Sequence, residues 1–96
     1  FYEAKAKQTW AKVNEPGARW SDQLATAEKV FEEYFLTSVG DNAADFLGDA
    51  AFERGDFENA ERYWRSVLEK HPDSDVSEAR LLFKRGLALA ELAQGS

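Results

Sequence analysis

The sequence predicts an all-α chain, an antiparallel helix-hairpin repeat stack of about five helices. Three observations predict it. Apolar residues recur at spacings of three and four, which is the stripe of a helix and not the alternation of a strand. Turn-forming residues interrupt that pattern at Asn14–Gly17, Gly40–Asn42, Gly55 and Pro72. One stripe also recurs: Leu24, Ala27, Phe31, Tyr34 and Phe35 have the spacing of Phe57, Ala60, Trp64, Val67 and Leu68, 33 residues later. A period of that length in helix pairs suits a stack in which each pair buries its stripe against the next.

The first helix spans Phe1 to about Val13, where Ala, Lys and Gln favour helix, and ends before Asn14-Glu15-Pro16-Gly17. Ser21 is expected to cap the second, with the stripe Leu24 to Phe35. After a turn at Gly40-Asp41-Asn42, a third helix carries Phe46, Leu47, Ala50, Ala51 and Phe52 and stops at Gly55. Asp56 caps the fourth, where Glu58–Arg62 and Glu61–Arg65 have i,i+4 spacing on the face expected to be exposed. Pro72 closes it. Asp75 or Ser77 opens the fifth, Asp75 and Glu78 having capping-box spacing, with Leu81, Leu82, Phe83, Leu87, Leu89 and Leu92 as its stripe.

The chain has 96 residues, 44% hydrophobic and 31% charged, the make-up of one small domain rather than a disordered chain. Eighteen acids against twelve Lys and Arg give a net charge of −6, which disfavours nucleic acid and anionic membrane surfaces as partners. No apolar run is long enough for membrane insertion. Cysteine is absent, removing disulfides and thiolate chemistry. The opening at Phe1, with no Met and no signal-like segment, reads as a piece of a longer protein.

Chemical motifs are scarce. His71 is the sole histidine, at a helix end where an imidazole suits the carbonyl terminus better than catalysis. No GxSxG turn, glycine-rich phosphate loop or calcium loop occurs, so no enzyme, metal or cofactor is expected. Arg54-Gly55-Asp56 spells an adhesive tripeptide, but helix-stop and helix-start chemistry accounts for it. Asp45, Asp49 and Glu53 share a helix face: a basic ligand, a divalent ion and a plain solvated stripe are the alternatives. Most of the thirteen aromatics fall on stripes and read as core. Phe1, Tyr2, Trp10 and Trp20 lie outside them. With Lys5, Lys7 and Lys12, the first helix is either a docking surface or, the favoured reading, a cap on the stack's end.

Asp41 to Ser74 resembles a tetratricopeptide repeat. Leu47-Gly48 stands at its Leu-Gly pair, Ala60 at the small-residue crossing, Trp64 at its large aromatic and Pro72 at its close. Ala44 and Ala51 depart from the Trp and Tyr usual there. Residues 75–96 resemble the first helix of a following repeat, with Gly86 in the glycine slot, and residues 1–40 a degenerate hairpin that matches poorly. The linker from Lys70 to Gly86 is similar to those of bacterial cell-envelope (periplasmic) tetratricopeptide proteins of the Tol-Pal-associated or outer-membrane assembly type, and the alternative resemblance is to the helical region of bacterial propeller proteins. The resemblance implies a right-handed superhelix and a non-catalytic interaction or scaffolding role. A protein or peptide would bind in a groove lined by Asn42, Asp45, Phe46, Asp49, Phe52 and Glu53 from one repeat and Arg80, Phe83, Lys84, Leu87 and Glu91 from the next. Acidic Asp45 and Asp49 imply a basic partner. The alternatives are a buttress for a neighbouring domain or self-association through the fifth helix, which lacks its pair.

Overall fold

A computed structural model describes residues 2–71, 74 and 76–95. Five helices follow one another: α1 (Tyr2–Ala11), α2 (Trp20–Glu33), α3 (Gly40–Glu53), α4 (Phe57–Lys70) and α5 (Glu78–Gly95), with a 3-10 turn at Lys12–Asn14. No strand occurs among the described residues. Consecutive helices pack together, most extensively α3 on α4 and α4 on α5. The molecule measures 43 × 30 × 18 Å. Its 18 Å thickness admits two layers of helices at the 8–10 Å spacing of packed pairs.

The α3–α4 hairpin is the best-formed unit, and its turn shows why. Gly55 has φ +82°, a conformation that side chains resist. Around it Asp56 N–H donates to the Ala51 carbonyl (2.8 Å) and Gly55 N–H to that of Phe52 (3.1 Å), the paired bonds of a Schellman stop. The next residue starts α4: Asp56 accepts from the Asn59 backbone N–H (3.4 Å) and side-chain amide (2.7 Å). Stop and start therefore occupy adjacent residues, which folds the two helices back on each other.

Between them sits Trp64, 1% exposed. A Cβ added to Gly48 would run into its indole, so the glycine's role is to make room for that ring. The side chain nearest to Gly48 is that of Trp64, one helical turn along α4 from Ala60. Ala44, Ala51 and Ala60, all fully buried, pack in the cluster around the ring, along with Val67, Val76, Leu81 and Ala88. A second cluster, Ala6, Val30, Tyr34, Val39 and Ala43, joins α1 to α2 and α3, and Phe31 touches both.

The 33-residue echo holds in burial. Ala27 and Ala60 are fully enclosed, Tyr34 and Val67 are buried, and Phe35 and Leu68 are half-buried. Only Phe31 is more open than its counterpart Trp64.

Several sequence expectations need correction. α2 starts at Trp20 behind an extended Arg19, so Ser21 lies inside the first turn and caps nothing. α2 ends at Glu33, and Tyr34 and Phe35 enter the core from the following turn, where Thr37 N–H and Oγ1 both donate to the Tyr34 carbonyl. α1 gives way to the 3-10 turn at Lys12 rather than continuing to Val13. Gly40-Asp41-Asn42 form the first turn of α3, not a loop. Ser77 caps α5, its Oγ accepting from Arg80 N–H (3.3 Å); Asp75 and Pro72 lie outside the described residues. Glu61 is buried, not surface-facing: it pairs with Arg65 (3.6 Å) and with Arg85 of α5 (2.7 Å). Of the α5 stripe only Leu81 is fully enclosed, whereas Leu82, Phe83, Leu87 and Leu89 are exposed. α5 is apolar on most sides, so spacing alone cannot select its inward face.

Two predictions follow from these contacts. Gly48→Ala should destabilise the fold by about 1–3 kcal/mol through overpacking against Trp64. Gly86→Ala, where nothing lies within 4 Å, should instead stabilise it by about 0.5–1 kcal/mol through helix propensity; urea denaturation of both variants checks the opposite signs. The Asn59 side-chain hydrogen bond, ahead of the backbone bond and the nearby arginines, holds the Asp56 carboxyl below its ordinary 3.8. Its stabilisation is thus complete above pH 3.8 and is lost as pH falls through the lower folded value. Asp56→Ala should destabilise by about 1 kcal/mol near neutrality. That difference should shrink below pH 3.8 in stability curves measured against pH.

Candidate binding groove between α3 and α5

Residues one helical turn apart on α3 and on α5 face each other across a concavity of about 490 Å³. Asp49, Phe52 and Glu53 line one wall, and Arg80, Phe83, Lys84 and Leu87 the other. These seven are among the residues the sequence singled out. The floor is Trp64 of α4, which sequence reasoning assigned only to packing. It does both: its ring is enclosed, yet one surface closes the groove, 6.0 Å from the Phe52 ring centre. Its match to the large aromatic position of the repeat it resembles is the signal that could have placed it there.

The apolar content is uneven. Phe83 is 67% exposed and Leu87 43% exposed, whereas Phe52 is half-buried against Phe57 (5.0 Å between rings). Phe46 lies apart. Its ring packs on Trp20 (5.3 Å) and edge-on to Trp10 (6.1 Å), where it ties α1 and α2 to α3. Asn42 is half-buried on α3 and Glu91 exposed on α5, and neither lines the concavity.

Charges within the groove are largely spent on each other. Lys84 Nζ donates to Asp45 (3.0 Å) and Asp49 (2.8 Å), and Arg80 donates to Asp45 (3.1 Å). Lys84 also lies 5.7 Å from the centre of the Trp64 ring, a cation–π distance. The expected acidic stripe is thus a clamp joining α3 to α5, and Asp45 is nearly enclosed within it. Glu53, exposed and outside any ion pair among the described residues, keeps a charge available to a ligand. No group of three or more His, Asp or Glu able to hold a metal gathers among the described residues.

His71 and Ser74 line a second concavity of about 290 Å³ at the α4–α5 corner, with Val67, Leu68, Val76, Glu78 and Leu81. His71 Nε2 faces the Phe35 carbonyl, so that nitrogen carries the proton, and its ring stands edge-on to Phe35 at 4.7 Å. Ser74 Oγ donates to buried Asp41 and accepts from Val76 N–H. His71 and Ser74 are both engaged in joining elements, and no nucleophile–base pair forms between them.

No helix among the described residues is long and apolar enough to cross a membrane. No protein-family model, curated protein or solved structure matches the chain.

Removing the shared cation of the clamp should be felt more than removing one outer anion. Lys84→Met leaves Asp45 with Arg80 alone and Asp49 with no partner, and should destabilise by about 1–3 kcal/mol. Asp49→Asn, half-exposed, should change stability by under about 0.5 kcal/mol. Chemical denaturation of both variants tests this order.

Proposed function

We propose that this chain is a tetratricopeptide-like interaction module that binds a peptide or helix of a protein partner in the α3–α5 groove. The observation that carries the reading is Phe83, 67% exposed beside Leu87 and facing Phe52 over the Trp64 floor. Large side chains left open in a concave, partly apolar site are the kind of feature that anchors a partner. The matched burial of the two 33-residue echoes and the tight Gly55 turn support the repeat reading, as does the likeness of Asp41–Ser74 to the family. The bacterial cell-envelope setting rests on the resemblance of the Lys70–Gly86 linker.

The anchor of the ligand is then an apolar side chain seated between Phe52, Phe83 and Leu87. Its charge preference falls to Glu53, since Asp45 and Asp49 are already paired. A ligand bearing Lys or Arg one turn from its apolar anchor fits that pattern.

A second reading is favoured by the outer side of α5. Leu82 and Leu89 are about half exposed, and nothing lies within 4 Å of a Cβ placed on Gly86. A neighbouring domain or a second copy would cover this face, the latter giving a mass that rises with concentration in sedimentation.

Peptides selected from a display library against the whole chain test the groove. Phe83→Ala and Leu87→Ala should each weaken a selected peptide by about tenfold or more while leaving the melting temperature unchanged. Glu53→Lys should weaken Lys- or Arg-bearing peptides selectively. Selected peptides insensitive to all three changes would contradict the reading.

A further inference from the structure

Lys5, Gln8 and Thr9 of α1, Lys12 at the start of the 3-10 turn and Lys29 of α2 enclose a cleft of about 200 Å³. It lies away from the α3–α5 groove. Gln8 and Thr9 follow Lys5 by three and four positions, which puts the three on one face of α1, and Lys12 follows it by seven in the 3-10 turn. No carboxylate lines the cleft.

In a chain with six more acids than bases, this is against the trend. Arg54, Arg65, Arg80, Lys84 and Arg85 all form ion pairs, whereas Lys5, Lys12 and Lys29 form none among the described residues. Glu3 accepts from Ser38 N–H, and none of the neighbouring acids Glu15, Asp22, Glu28, Glu32 and Glu33 lines the cleft. The carbonyls beside Lys12, which would repel an anion, are also engaged: that of Lys12 by Glu15 N–H and that of Val13 by the Gln23 amide.

We propose that this cleft binds a phosphate group of high charge, such as the diphosphate of a small soluble molecule. Three lysines line a space that admits one or two tetrahedral oxyanions. Ammonium acts as a point charge toward phosphate, so a multiply charged anion gains most from it. Gln8 supplies a neutral amide donor. Thr9 gives none, because its hydroxyl donates to the Lys5 carbonyl (2.9 Å). The absence of a planar guanidinium fork argues for a compact anion rather than a carboxylate ladder.

Titration of the whole chain with inorganic pyrophosphate at low ionic strength, followed by amide NMR, tests this. Saturable shifts should concentrate at Lys5, Gln8, Thr9, Lys12 and Lys29, and added NaCl should weaken binding. Lys12→Gln and Lys29→Gln, both at exposed positions, should each weaken it by about tenfold. Lys7→Gln and Lys70→Gln, which remove the same charge elsewhere, should leave it within about twofold. Equal losses in both sets, or shifts scattered over all lysines, would overturn the site as a mere effect of net charge. Tighter binding of an oligoglutamate peptide or of anionic phospholipid vesicles at these residues would overturn the small-phosphate assignment.

Discussion

The seating of Trp64 on Gly48 is the constraint from which the rest of the structure follows. A buried Trp contributes about 150–250 Å² of apolar burial, worth roughly 4–6 kcal/mol by area. Its Nε1–H is enclosed and has no acceptor, which costs about 1–3 kcal/mol. Burial wins, and the margin explains why an orphaned donor is tolerated there. The ring needs a glycine on α3 and alanines around it, and those residues fix how closely α3 and α4 cross. That crossing sets where α5 can dock.

Polar contacts then choose the orientation of α5. Among the described residues its enclosed hydrophobic ones are Leu81 and Ala88, a small apolar contribution for an 18-residue helix. Asp45 and Asp49 on α3 hold Arg80 and Lys84, while Glu61 on α4 holds Arg85. Such partly buried pairs gain less than apolar burial but are directional, so they decide which side of an otherwise apolar helix faces inward. The same choice turns Phe83 and Leu87 toward the groove and leaves Leu82 and Leu89 on the outer surface. The groove's apolar walls and its spent charges thus have one origin.

The helices, their order and the α3–α4 turn were legible because local chemistry settles them. Gly55 and Asp56 specify a stop and a start without reference to the rest of the chain, and the 33-residue echo reports shared burial. Seven of the proposed site residues come together because helical spacing places one-turn neighbours on one face. Local rules miss what depends on distant partners. Phe46 has the spacing of its groove neighbours, yet Trp10 and Trp20, more than 25 positions upstream, draw it to the other side. Asp45 and Asp49 look available until α5 supplies cations, and Glu61 looks exposed until Arg85 arrives. Tyr34 and Phe35 enter the core from a turn, which periodicity cannot distinguish from a continuing helix.

Hydrogen exchange at the indole N–H groups tests the central claim most directly. The three tryptophans give separate indole signals, and Trp20, half exposed, provides an internal reference. With Trp64 enclosed at the α3–α4 crossing, its Nε1–H should exchange only through global unfolding, tracking the denaturant-measured stability, while Trp20 exchanges rapidly. A Trp64 signal that exchanges as fast as that of Trp20 would contradict the account, because the ring would then not be the wedge on which the helices are set.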